Sequence, residues 1–170
     1  MTFKFIDLFA GIGGMRKGLE QAALAEGIEV SCVFSSEIDK HARETYLANF
    51  PEGPEPEGDI RGIAHDNIPP HDILLAGFPC QPFSVAGKQR AEADERHLFP
   101  RIAEIIREVG PRFVFLENVR GLLTASGGKI FGDVLGTLAD LGFDSEWLCL
   151  RASSVGAPHR RERVFILAHT

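Results

Sequence analysis

One cysteine stands apart from the other two by its neighbours. The stretch Gly77-Phe78-Pro79-Cys80-Gln81-Pro82-Phe83-Ser84 directly follows the apolar run Ile73-Leu74-Leu75-Ala76. Prolines near the thiol fix the backbone and hold it in one direction. Cys80 then lies past a buried strand, where a nucleophile meets a substrate. Cys32 and Cys149 sit inside apolar strands and read as small core hydrophobes. A second buried run, Phe113 to Leu116, ends at Glu117-Asn118 and turns a carboxyl toward the same crevice. No histidine is placed as a base for the thiol, which argues against a protease-like pair. Sulfur beside an acid suits a substrate that takes a proton on one atom while sulfur attacks another. The alternative is that Asn118 caps a helix and Glu117 is a bystander.

Two further tips point to a bound nucleotide. Asp7-Leu8-Phe9-Ala10-Gly11-Ile12-Gly13-Gly14 joins a strand to a helix through glycines, which permit positive φ and close backbone approach to a ligand. The spacing is not the dinucleotide fingerprint, because Arg16 stands where its third glycine belongs. A nicotinamide oxidoreductase is therefore disfavoured, and a tight structural turn stays open. Glu37, at the end of the second strand, can accept hydrogen bonds from both ribose hydroxyls. It can instead cap the helix beginning near Lys40, a task for which Asp39 competes. Gly58-Asp59-Ile60 is too short to interpret unaided.

These tips need a scaffold, and the hydrophobic pattern supplies one. Strands are expected at Phe3 to Phe9, Val30 to Ser36, Asp72 to Ala76, Phe113 to Leu116, Phe143 to Leu150 and Arg163 to Ala168. Helices are expected at Gly14 to Ala25, Lys40 to Asn49, Leu98 to Val109 and Ile130 to Leu141. Alternating strands and helices imply an α/β protein, with a mostly parallel, doubly wound sheet carrying helices on both faces. The polar segment from Phe83 to His97 reads as a functional lid.

Composition bounds the class. The 170 residues, 44% hydrophobic and 25% charged, suffice for one domain with a real core. No apolar run approaches a membrane span, and the start lacks the pattern of a signal peptide, so a cytoplasmic location is expected. Three cysteines without a Cys-x-x-Cys pair argue against disulfides and structural zinc, and no metal is expected. The net charge of −6 opposes a protein that grips nucleic acid with its whole surface. The last twenty residues nonetheless carry Arg151, Arg160, Arg161 and Arg163 against the single acid Glu162, leaving room for a local anion site.

In order along the chain, the tips resemble the motifs of the DNA (cytosine-5) methyltransferase family. Phe5 to Gly14 looks like its first motif, Ser36-Glu37-Ile38-Asp39 its second and Gly58-Asp59-Ile60 its third. Gly77 to Gly87, with Pro79-Cys80-Gln81 intact, resembles the fourth. Asp94 to Phe99 fits the fifth, Glu117-Asn118-Val119 the sixth, and Arg161-Glu162-Arg163-Val164-Phe165 the eighth. His159 stands where the eighth motif usually opens with glutamine.

The resemblance implies a Rossmann-like, S-adenosylmethionine-dependent fold. Phe9, Ala10, Gly11, Gly13, Gly14, Glu37, Ile38, Asp59, Ile60, Pro79 and Leu98 would bind the cofactor. The acid Glu37 would take the ribose, Ile38 would pack on adenine, and Asp59 would read its amino group. Cys80 would add to carbon 6 of cytosine, Glu117 would hydrogen-bond or protonate N3, and Arg163, with Arg161 supporting, would bind the carbonyl oxygen or orient acid and thiol. Gln81, Ser84, Asn118 and Val119 would contact a flipped-out base beneath the Ser84 to Arg96 loop. DNA is the expected partner, and no membrane is. Residues 1–170 are expected to form the catalytic domain, truncated before the target-recognition region and without the ninth and tenth motifs. A second polypeptide supplying those motifs is a further expected partner. The resemblance also admits a non-catalytic cofactor-binding fragment or an RNA cytosine-5 methyltransferase.

Overall fold

The computed structural model describes residues 1–79 and 98–170. The elements run β1 (Thr2–Leu8), α1 (Gly14–Ala25), β2 (Glu29–Ser36), α2 (Lys40–Asn49), β3 (Ile73–Ala76), α3 (Phe99–Val109), β4 (Phe113–Val119), α4 (Lys129–Asp140), β5 (Asp144–Arg151) and β6 (Glu162–His169). They form one sheet in the order β2-β1-β3-β4-β6-β5. The β1–β2, β1–β3 and β3–β4 pairings are parallel, while β6 is antiparallel to both β4 and β5. The chain moves outward from β1 to β2 and then returns to β3 on the other side. The carboxyl ends of β1 and β3 therefore flank the point where the winding reverses, which is where open α/β sheets bind ligands.

Alternation along the strands sorts the two faces. Ile6, Leu74, Val114 and Ala168 lie in one register across the sheet, and Leu8, Ala76, Leu116 and Ile166 in the next. All are buried in the main core with Ile102, Ile105 and Ile106 of α3 and Val134 and Leu138 of α4. The opposite face carries Ile73, Leu75, Phe113, Phe115, Phe165 and Leu167, with the Phe115 and Phe165 rings stacked at 5.7 Å. Helix α1 shares this face, yet a groove of about 940 Å³ runs between it and β6, lined by those side chains together with Met15, Leu19, Leu150 and Val155. Helices thus lie on both faces as expected, but the second is covered only in part.

Two local departures follow from pairing. β4 continues three residues beyond Leu116 because β6 pairs with it through Val119, so Glu117 and Asn118 belong to the strand. Cys149 is exposed, which corrects its reading as a core residue. It belongs to β5, the sheet edge, where Trp147, Leu148 and Leu150 are exposed as well.

The turn after β1 is fixed by close packing. Phe9 and Gly11 take φ of 56° and 55°, ending the strand one residue earlier than its apolar pattern suggests. Gly13 has φ +89°, and a β-carbon there would stand 2.1 Å from the Phe50 ring. Backbone strain and overlap act together, so Gly13→Ala is expected to cost about 2–3 kcal/mol of folding stability in urea denaturation. Gly14→Ala serves as the control, since nothing lies within 4 Å of its β-carbon position.

Candidate active site

The β1 turn and the end of β2 are tied through one carboxylate. The Gly11 N–H donates to Glu37 Oε2 at 2.7 Å, and the Asp39 N–H donates to Glu37 Oε1 at 2.8 Å. Asp39 itself caps α2, accepting from the Ala42 N–H at 2.7 Å. Capping therefore falls to Asp39, and Glu37 faces the glycine turn. Space beside Gly11 is open, with nothing within 4 Å of a β-carbon position, and Ile38 is 69% exposed next to the acid. Open space beside the glycine turn, a carboxylate and an apolar side chain meet at one edge. That set of groups fits a ribose and its attached base.

Other expected cofactor residues take different roles. Ala10 is buried beside Tyr46 and Phe50, and its N–H donates to the Ser36 carbonyl. Asp59 caps the short turn 60–62 by accepting from the Arg61 N–H, and the Arg61 guanidinium also binds it. That hydrogen bonding holds the Asp59 carboxyl below its usual range. The Ile60 side chain is 2% exposed and lies in the main core, while its carbonyl accepts from Arg101 at 3.2 Å. Leu98 is half-buried at the start of α3. Beneath the turn, burial pushes the Asp7 carboxyl up to about 7, with the Arg16 charge opposing.

The β3 and β4 tips are linked by Asn118. Its amide donates to the Phe78 carbonyl at 3.0 Å, and its side-chain oxygen accepts from the Val119 N–H at 2.8 Å. Asn118 is 2% exposed, so this side chain fixes backbone rather than capping a helix. Pro79, the last described residue of the β3 tip, is exposed. Cys80, Gln81 and Ser84, and the Asp94 to His97 stretch, lie outside the described residues.

Glu117 faces this tip. A β-carbon on Gly77 would stand 3.6 Å from both Glu117 Oε2 and Met15 Sδ, so β3, β4 and the first turn of α1 converge there. The other oxygen, Oε1, pairs with Arg163 Nε at 2.7 Å, each side chain being nearly four-fifths shielded. β6 carries Arg163 opposite Val119, and Arg163 also donates to the Glu162 carbonyl. Arg161 is exposed and lines the apolar groove just before β6. Glu162 bridges Arg151 and Arg120 and pins the strands behind the pair. Val119 is 37% exposed at the end of β4. One acid, oriented through one oxygen by an arginine, thus presents its second oxygen beside the β3 tip.

Fold and site together define an α/β protein with a carboxylate-tied glycine turn at the ends of β1 and β2 and an acid–arginine pair on β4 and β6 beside the β3 tip. The family model for C-5 cytosine-specific DNA methylases matches residues 3–170, and the chain belongs to that family. It is 49% identical over 168 residues to the type II methyltransferase M.BanI of Aneurinibacillus aneurinilyticus, covering 98% of this chain and 38% of that protein. It is 51% identical over 165 residues to M.HgiCI of Herpetosiphon aurantiacus, covering 96% of this chain and 38% of that one. The solved structure of Spodoptera frugiperda DNMT2 superposes with a TM-score of 0.78 at 26% identity, covering 98% of this chain and 50% of the other. The chain spans about four-tenths of the length of M.BanI and M.HgiCI.

Some of this geometry leaves no mark in the sequence. Met15 carries only a helix-spacing signal, and Asn118 suits a cap or a substrate contact equally well. Side chains bonded across tips leave no periodic trace.

Proposed function

We propose that the chain is the catalytic portion of a type II DNA (cytosine-5) methyltransferase. The observation that carries the reading is the Glu117–Arg163 pair standing against the Gly77-to-Pro79 tip, from which the chain runs directly into Cys80. The Gly11 turn and Glu37 would hold S-adenosylmethionine, which would supply an electrophilic methyl group. The Cys80 thiolate forms a bond to carbon 6 of a flipped-out cytosine. Electron density moves toward N3, where Glu117 Oε2 donates a hydrogen bond or proton, and carbon 5 becomes an enamine carbon. Arg163 holds Glu117 in place through Oε1. Carbon 5 takes the methyl group, then loses its proton as the Cys80 sulfur–carbon bond breaks and N3 gives its shared proton back to Glu117. The products are 5-methylcytosine, S-adenosylhomocysteine and a proton, and the thiolate is regenerated.

Two finer statements belong to the same proposal. Residues 1–170 form one catalytic domain, working in the cytoplasm on DNA within restriction–modification. A further polypeptide supplies the remaining motifs of the longer relatives. The open apolar groove beside α1 supports this, because a parallel sheet is normally covered on both faces. No helix among the described residues is long and apolar enough to cross a membrane.

Labelled-methyl transfer tests the reading, with the chain alone and with a polypeptide carrying the carboxy-terminal motifs. Label in duplex DNA at carbon 5 of cytosine supports it. Label in RNA alone, or in neither nucleic acid under both conditions, contradicts it. Glu37→Ala is expected to weaken S-adenosylhomocysteine binding by about 10- to 100-fold in calorimetry, because it removes the acceptor for the Gly11 N–H and for a ribose. Turnover at saturating cofactor changes far less.

A further inference from the structure

Arg16, standing where the dinucleotide fingerprint has a glycine, is nearly buried, with its residue only 7% exposed. Burying a guanidinium is costly unless its donors are met. Here Nε binds Glu20 at 2.7 Å and Nη1 donates to the Tyr46 hydroxyl at 3.1 Å. The guanidinium carbon lies 4.0 Å from the centre of the Phe50 ring. The same ring presses on Gly13, and Gly53 is packed so closely that a β-carbon would stand 2.5 Å from Arg16 Nη1. One side chain therefore grips α1, α2 and the loop after α2.

That loop leads back to the cofactor edge. The Gly53 N–H donates to the Phe50 carbonyl, the Glu57 N–H to the Ser35 carbonyl, and the Glu37 N–H to the Glu57 carbonyl. From the other side, Asn49 Nδ2 donates to the Ile12 carbonyl at 3.0 Å, inside the glycine turn. Both partners of the Gly11–Glu37 bond are thus braced by what Arg16 holds. We infer that Arg16 is a positioning residue for the cofactor site: it clamps Phe50 and Gly53 against the Gly13 turn and so sets the spacing of the Gly11 N–H and the Glu37 carboxylate. This rests on the reading of that edge as the S-adenosylmethionine site. Methionine keeps an unbranched stem at Arg16 without its donors, and lysine keeps the charge without the planar fork.

The test uses Arg16→Met and Arg16→Lys in the whole chain, with amide hydrogen exchange on the ligand-free protein and calorimetric titration with S-adenosylhomocysteine. In Arg16→Met, exchange at Gly11, Gly13 and Glu37 is expected to rise about tenfold, with unchanged protection at Leu74 and Val114, and binding to weaken about tenfold. Arg16→Lys falls between wild type and Arg16→Met. Uniform acceleration across the sheet, or wild-type affinity in a folded Arg16→Met protein, overturns the inference and makes Arg16 a stability residue only. Should Arg16→Met not fold, Phe50→Leu is read in the same way, with loss of protection at Gly13 and Gly11 expected and wild-type protection overturning. Selective loss at Gly11 in a chain whose wild type binds no S-adenosylhomocysteine upholds the clamp and overturns the cofactor reading instead.

Discussion

Cys80→Ser is expected to lower methyl transfer by a factor on the order of 10⁴ or more while leaving S-adenosylhomocysteine binding unchanged. A thiol with an ordinary pKa near 8.5 supplies some thiolate at neutral pH, whereas a serine hydroxyl supplies almost no alkoxide. The addition to carbon 6 therefore stops. In the proposed site, cofactor binding depends on a different set of groups, the Gly11 turn and the Glu37 carboxylate at the ends of β1 and β2. Turnover assays paired with calorimetry separate the two effects. Equal loss of both makes Cys80 a structural residue.

Glu117→Gln carries the second large effect, a fall in kcat of about 10²- to 10³-fold. Glutamine keeps the shape but cannot deliver a proton to N3, and it leaves Arg163 without the carboxylate it holds at 2.7 Å. The cofactor dissociation constant is expected to stay within about twofold, because the proposed mechanism has Glu117 act on the base and not on the nucleotide edge. Arg163→Lys keeps the charge but loses the fixed fork, so a smaller fall in kcat is expected. An Arg163→Lys defect equal to that of Glu117→Gln would give Arg163 a direct contact with the base.

Much of the scaffold was legible because helices and strands carry their own periods. Gly14 to Ala25 and Lys40 to Asn49 form helices over the ranges that apolar spacing implies. The tips were legible because glycine, proline and acid residues interrupt apolar runs just where the chain turns. Pairing partners were not legible. Nothing in Phe113 to Leu116 announces that an antiparallel β6 extends β4 through Val119, drawing Glu117 and Asn118 into the sheet. Cys149 looked internal because its neighbours are apolar, yet an edge strand leaves them exposed. The same gap hid the open groove beside α1, since periodicity identifies an apolar face and says nothing of what covers it.

Arg16 illustrates the limit most clearly. In the sequence it was a failed glycine, useful only for setting aside the dinucleotide fingerprint. In the fold it meets Glu20 of its own helix together with Tyr46 and Phe50, thirty or more residues away, a convergence that only tertiary contacts set. Asn118 is similar, because its bond to the Phe78 carbonyl spans forty positions.

The most direct test of the central claim is covalent trapping with duplex DNA containing 5-fluorocytosine. The chain is incubated with S-adenosylmethionine and the polypeptide supplying the carboxy-terminal motifs. Fluorine in place of the carbon 5 proton blocks the elimination that releases the sulfur, so the intermediate accumulates. A denaturation-resistant adduct whose DNA-linked peptide contains Cys80, and which disappears in Cys80→Ser, is the expected result. Methyl transfer to ordinary cytosine without any such adduct, or an adduct on Cys32 or Cys149, would contradict the account.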